Sequence, residues 1–296
     1  QESLARLLHS LGAVLHFVDD PRLRDTSVLN PHWVTDGAYR LLRYKKNPED
    51  NPEDNPENNG ILTLDEAMEA LPKGETEESA RFFLRLMERF EMCFPVEETN
   101  GTQLPPKWLI PGTLDKYQPD DVSMDWMKPG SVKMRYCYDP LPEGVLPRFI
   151  VLTHPLSEDQ PRWRNGVILK NGEAKAMVRR AENPNNIEVI AFGSPHERLR
   201  LLEIAQGALE RINTDIPAPK PYAELELEGL PGVYRPMTDI EAAERTGNDL
   251  AIKSEDGISD ATVEPTPQLD RTSESESRHR KESPLRLFLS YSHKDK

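Results

Sequence analysis

Apolar positions along this chain recur with two different periods. Leu4, Leu7, Leu8, Leu11 and Leu15 share one stripe of a helix predicted over Leu4–Leu15. VDDPRLRD breaks that pattern, and the short apolar pair Val28-Leu29 follows. Asn30-Pro31 reads as an N-cap with proline at the first helical position. The helix it opens carries Val34, Ala38, Leu41 and Leu42 on one side. Thr63 and Glu66 form a capping box for a short helix over Leu64–Leu71. A stronger helix is expected from Thr76, with Glu77 and Glu78 at its positive end. Its stripe is Ala80, Phe83, Leu84 and Met87, widened by Phe82, Leu86 and Phe90. EMCFPV, the turn TNG and LPPKWLIP then read as a hairpin, with Pro105 and Pro106 favouring an edge position for the second arm. Helices followed by such a hairpin predict a winged-helix-like first domain over residues 1–111.

From Leu141 the period shortens. RFIVLTH is an apolar segment that suits helix or strand equally. RWRNGVILK, EAKAMVRR and NIEVIAF follow as three strands, and Asn171-Gly172 between the first two is a strong hairpin signal. Ala174, Ala176 and Val178 share a face, as do Ile187, Val189 and Ala191. Ser194-Pro195-His196-Glu197 reads as a second capping box, launching a helix with the stripe Leu201, Ile204, Ala205, Ala208 and Ile212. Such a helix is not stable alone in water, so it should lie across the antiparallel sheet. YAELELE is a further candidate strand. The expected class is α+β, with residues 112–235 as a second domain of antiparallel sheet plus helix. Residues 236–283 are acidic and rich in Ser, Thr, Glu and Pro, which predicts a disordered tether. A folded α/β element then begins at 284–296. The tandem KKNPEDNPEDNPENNG reads as a solvated loop expansion.

Composition narrows the function. The 296 residues carry a formal net charge of -14, which weighs against nucleic-acid backbones and anionic membranes. Arg81, Arg85 and Arg89 recur at helical spacing, but Glu77, Glu78, Glu88 and Glu91 oppose them. A nucleic-acid-binding winged-helix regulator therefore stays only an alternative. Cys93 and Cys137 stand far apart, without zinc or disulfide spacing, which suits a reducing cytoplasm. The apolar run LARLLHSLGAVLHFV lacks a basic flank and carries His9 and His16, so no membrane span is expected. Those histidines would be separated by about 10 Å of helical rise with no third metal ligand in view. Gln1 at the start and an unpaired strand at the end predict a piece of a longer chain.

Two clusters are candidates for sites. Asp19, Asp20 and Asp25, with Arg22 and Arg24 between them, read more simply as a salt-bridged turn than as an acid/base pair. Trp163, flanked by Arg162 and Arg164, suits an interface anchor or a core tryptophan equally well.

Three stretches carry a resemblance. LHSLGAVLHFVDDPRLRDTSVLNPHWVTDGAYRLL resembles the opening of the COR domain of Roco-family proteins, at Leu8-His9, Leu11-Gly12, Leu15-His16-Phe17, Leu29, Pro31 and Trp33. WRNGVILKNGEAKAMVRR resembles the second half of that domain, so the likeness runs from Leu4 to Asn213, with the NPED insert as a departure. LRLFLSYSHKD, with Phe288, Ser290, Tyr291 and Ser292, resembles the first strand of a TIR domain. The resemblance implies that the first half packs on a Roc GTPase and the second half mediates homodimerisation. It makes Asp19, Asp20, Arg22, Arg24 and Asp25 candidate GTPase contacts, and Trp163 and Arg164 candidate dimer or interdomain contacts. It also implies no catalytic residue, cofactor or metal in this chain. GTP or GDP with Mg would belong to a Roc domain before Gln1, since no G-x-x-x-x-G-K-[S/T] loop occurs here. NAD would belong to a TIR domain whose cleaving glutamate lies downstream. An enzyme with its site between the two halves is the remaining alternative.

Overall fold

The computed structural model describes residues 31–44, 60–96, 106–122, 126, 130–217, 219–227, 230 and 232–239. It also places backbone pairing at 15–16, 27–28, 253–254 and 257–258. The chain forms two compact units. The first takes residues 1–119, 146–154 and 162–165; the second takes 120–145, 155–161 and 166–296.

In the first unit β1 (Leu15–His16) pairs antiparallel with β2 (Ser27–Val28). Leu15 is therefore extended, where the apolar stripe predicted the last turn of a helix; residues 1–14 lie outside those described. Helix α1 (Pro31–Tyr44) buries Val34 and Leu41, with Ala38 and Leu42 half-buried beside them. β3 (Ile61–Thr63) leads directly into α2 (Leu64–Ala70). The capping box forms as predicted: Glu66 N donates to Thr63 Oγ1 at 3.3 Å, and Thr63 N donates to Glu66 Oε2 at 2.8 Å. Helix α3 (Glu77–Arg89) is capped by Thr76, whose hydroxyl accepts from Ser79 N. It buries Ala80, Phe82, Phe83, Leu84, Leu86 and Met87. Burial of such large apolar side chains is worth about 1.5–3 kcal/mol each and is the main force holding the three helices together.

Phe90 departs from the predicted stripe and is 54% exposed. The chain turns there, because α3 ends in a Schellman motif: Met92 N donates to Met87 O and Glu91 N to Glu88 O. β4 (Phe94–Val96) and β5 (Lys107–Leu109) then complete a three-stranded antiparallel sheet in the order β3-β5-β4. β5 is central, not an edge, because β3 takes its free side. The proline rule holds on the other arm: Pro95 is exposed in β4, at the edge. The first unit also contains most of α4 (Val145–Thr153) and β7 (Arg162–Trp163). RFIVLTH is thus helical, and nearly uniform apolarity reflects a helix in which Leu146, Phe149, Ile150 and Val151 are all buried.

In the second unit, strands lie in the order β12-β11-β6-β10-β9-β8, with every neighbour antiparallel. Their spans are β6 (Val132–Cys137), β8 (Gly166–Asn171), β9 (Ala174–Arg180), β10 (Asn186–Phe192), β11 (Tyr222–Glu226) and β12 (Tyr234–Pro236). The predicted Asn171-Gly172 hairpin joins β8 to β9, with Gly172 at φ 58. Helix α5 (Pro195–Asn213) lies on β8, β9 and β10 and buries Leu201, Leu202, Ala205, Leu209 and Ile212. Ile204 and Ala208, expected in its stripe, are only half-buried. The second capping box does not form. Ser194 Oγ donates to Glu197 Oε2 at 2.6 Å and caps no backbone N–H. A further two-residue pair, β13 (Lys253–Ser254) with β14 (Gly257–Ile258), lies within the stretch predicted as tether.

Candidate protein-interaction site

Alternation along the strands sorts the sheet of the second unit into two faces. On one, Met134, Tyr136, Val178, Val189 and Ile187 are buried. On the other, four directly opposed residues make a row across four strands: Glu224 on β11, Arg135 on β6, Glu188 on β10 and Arg179 on β9. The signs alternate, as cross-strand pairing favours. Arg179 Nη2 lies 3.3 Å from Glu188 Oε2, Lys133 Nζ lies 3.0 Å from Glu188 Oε1, and Arg135 Nε donates to Glu224. The Tyr234 ring from β12 sits under this row, 3.8 Å from the Arg135 guanidinium carbon.

The row is neither buried nor fully open, with side-chain exposures from 12% at Glu224 to 33% at Arg135. Its electrostatics follow from that position. Partial burial opposes the charge on Lys133, but hydrogen bonds to Tyr234 and Glu188 prevail and hold its pKa above the usual lysine value. Arg135 shows the same balance, with Glu224 supplying the favourable interaction. Burial, then the Glu224 charge, pushes the Cys137 thiol up. Cys93 is buried and its thiol is pushed far up for the same first reason. Neither thiol is poised as a nucleophile. The geometry supplies fixed charges of alternating sign and an aromatic face.

Candidate site residues from the sequence fare unevenly. Asp19, Asp20, Arg22, Arg24 and Asp25 lie outside the described residues, between β1 and β2 in sequence. Phe288, Ser290, Tyr291 and Ser292 also lie outside them. Trp163 is buried, with 3% exposure. Arg164 is half-buried; its backbone N–H donates to Asp115 O at 2.6 Å, and its Nε is buried without a hydrogen-bond partner. Of the arginines on α3, Arg81 is paired with Glu77 at 2.7 Å. The opposing Glu88 accepts from Trp108 Nε1, and Glu91 is paired with Arg148. Sequence reasoning missed the charged row. Its signal was the spacing of Lys133 and Arg135 in VKMRYC, and of Glu224 and Glu226 in YAELE, at period two.

Among the described residues no group of three or more His, Cys, Asp or Glu could hold a metal ion, and no helix is long and apolar enough to cross a membrane.

The described residues form an α+β chain of two units, one of helices with a small sheet and one of antiparallel sheet with a helix packed on it. The chain belongs to the C-terminal-of-Roc (COR) family: the COR-A domain model matches residues 1–114 and the COR-B domain model matches residues 130–236. It is similar to a Roc-COR-CHAT protease of Runella zeae, at 28% identity over 179 residues, which are 60% of this chain and 17% of the relative. A second Roc-COR-CHAT protease, of unknown prokaryotic origin, is 21% identical over 233 residues, 77% of this chain and 20% of the relative. A probable serine/threonine-protein kinase, roco11 of Dictyostelium discoideum, is 26% identical over 180 residues, 57% of this chain and 11% of the relative. The matched stretch is thus a small part of each relative's length.

Proposed function

We propose that this chain is the dimerising and GTPase-coupling segment of a Roco-type signalling protein, relaying the nucleotide state of a Roc domain to a TIR effector. The observation that carries this reading is the succession of COR-A and COR-B matches over residues 1–114 and 130–236. The relatives' names join Roc and COR with a protease in one case, and the Roco name with a kinase in another. A common relay feeding interchangeable effectors fits that pattern, and here the effector would be the TIR domain suggested by Phe288, Ser290, Tyr291 and Ser292.

The first unit would face Roc. Its order α1, β3, α2, α3, β4, β5, with three helices and a three-stranded sheet, supports the winged-helix reading. Asp19, Asp20, Arg22, Arg24 and Asp25 would touch the nucleotide-sensitive segments of Roc. The second unit would dimerise, and the chain would carry out no catalysis and hold no cofactor. GTP or GDP with Mg, and NAD, would be bound by the flanking domains. A coupling of about 1–3 kcal/mol between Roc and the second unit would suffice for useful control. Dimerisation would then raise the effective concentration of two tethered TIR domains.

Sedimentation velocity of the chain over a range of concentrations, alone and with separately prepared Roc domain loaded with GDP or a GTP analogue, tests this. Self-association and nucleotide-dependent Roc binding are expected. A chain that stays monomeric and ignores Roc in both nucleotide states would refute the proposal.

A further inference from the structure

The boundary between the family halves and the boundary between the folded units do not coincide. Residues 146–154 and 162–165 lie inside the COR-B match, yet they fold as part of the first unit. The chain therefore passes between units at 119–120, 145–146, 154–155, 161–162 and 165–166. Helix α4 is a strap: a COR-B sequence that belongs to the compact unit formed mainly by COR-A.

The strap is fastened at identifiable points. Arg148 reaches Glu91 Oε2 with two nitrogens, Nε at 2.9 Å and Nη2 at 2.8 Å. The Phe94 ring stacks on His154, with centroids 4.4 Å apart and planes 21° apart, while the Arg162 guanidinium carbon lies 5.8 Å from the Phe94 centroid. Glu91 is the unusual member. It occupies the residue after the C-cap of α3 at φ 56, and is the only non-glycine residue with positive φ among those described. A Schellman motif strongly favours glycine at that position, because a side chain there strains the backbone. Glutamate has no short side chain to bond its own backbone, as Asn or Asp would, so local chemistry does not explain it. Its partner does. The left-handed turn carries the carboxylate to Arg148, where it is only 12% exposed and accepts two charge-assisted hydrogen bonds.

We propose that Glu91 and Arg148 form a latch that holds the α4 strap on the first unit, and that the strained turn at Glu91 exists to present this carboxylate. Local strain over-determined by a specific contact marks a place where structure is held ready to change. Releasing the latch would free a COR-B segment from the COR-A unit without unfolding either sheet. This device follows from the geometry of the first unit and does not depend on the proposed Roc coupling.

Native-state hydrogen exchange on the whole chain tests it. Glu91→Gly removes the carboxylate and relieves the backbone strain together. Exchange of amides in residues 146–154 is expected to accelerate by about tenfold, while β9 and β10 keep their protection. Thermal stability should not fall in proportion, because a favourable glycine replaces a strained residue. Arg148→Gln should give the same selective acceleration, and the double variant should add little to either, since both remove one interaction. Should a variant fold poorly, Glu91→Gln keeps the side-chain shape and provides the same comparison. Unchanged exchange in 146–154, or acceleration spread equally over both units, would overturn the proposal.

Discussion

Replacing Gly37 by alanine sets helix propensity against packing, and the two predict opposite signs. Gly37 lies in the middle of α1, where alanine would ordinarily stabilise a helix by about 1 kcal/mol. A Cβ at this position, however, would lie 2.2 Å from Phe83 Cζ, 2.3 Å from Cε1 and 2.7 Å from Cε2. Phe83 is fully buried, with Trp33 at 4.4 Å and Phe82 at 5.8 Å between ring centroids, so the ring has little room to retreat. Overpacking of a filled core costs about 1–3 kcal/mol, and three clashing ring atoms place this case near the upper end. Setting about 3 kcal/mol of strain against about 1 kcal/mol of helix propensity leaves a net loss of about 2 kcal/mol. Urea unfolding followed by tryptophan fluorescence measures this, and a fall in Tm of about 4–8 °C should accompany it. The loss should shrink in a Phe83→Leu background, where the ring is gone. A Gly37→Ala variant as stable as the parent, or more stable, would refute the close-packing argument and leave Gly37 as an ordinary weak helix residue.

Other perturbations have equally definite outcomes. Thr63→Ala removes the Oγ1 that accepts from Glu66 N, while the residue-63 backbone N–H can still donate to Glu66 Oε2, and should cost about 1 kcal/mol in urea unfolding. Lys133 has its folded pKa raised, so its stabilising contribution is complete below the unfolded lysine pKa and is lost as pH rises through the folded value. Lys133→Met should therefore flatten the decline in stability at alkaline pH, and an unchanged alkaline profile would refute this. At pH 8, Ellman's reagent should modify Cys93 only as the chain unfolds, and Cys137 more slowly than free cysteine, because burial raises both thiols. Charge reversal at Asp20 and Arg22 in the full-length protein should change GTPase coupling; an unaltered GTPase response would count against the Roc-facing loop.

Signals that act within a few residues are legible in the amino-acid order alone. Thr63 and Glu66 form their cap, Thr76 opens α3, and Asn171-Gly172 turns the β8–β9 hairpin. Each depends on contacts between near neighbours in the chain. Ser194 and Glu197 show the limit of such reasoning. The pattern fits a capping box, but Glu197 accepts from the Ser194 hydroxyl and the distant Glu173 N–H. The edge position expected of β5 fails for a related reason: β3, more than forty residues earlier, supplies its second neighbour. β6 carries charges at alternate positions and owes its strand character to its partners β10 and β11, which lie far along the chain.

By itself the sequence determined helices α1, α2, α3 and α5, strands β8 to β10 and the resemblance to COR, because side-chain periodicity and capping are properties of neighbouring residues; it left RFIVLTH open between helix and strand. Only the tertiary structure decided that Glu224, Arg135, Glu188 and Arg179 stand in one row, and that a helix from the COR-B stretch belongs to the first unit. Those outcomes depend on strand register and on which apolar faces meet across long separations, and a one-residue change of register would turn the charged row to the opposite face.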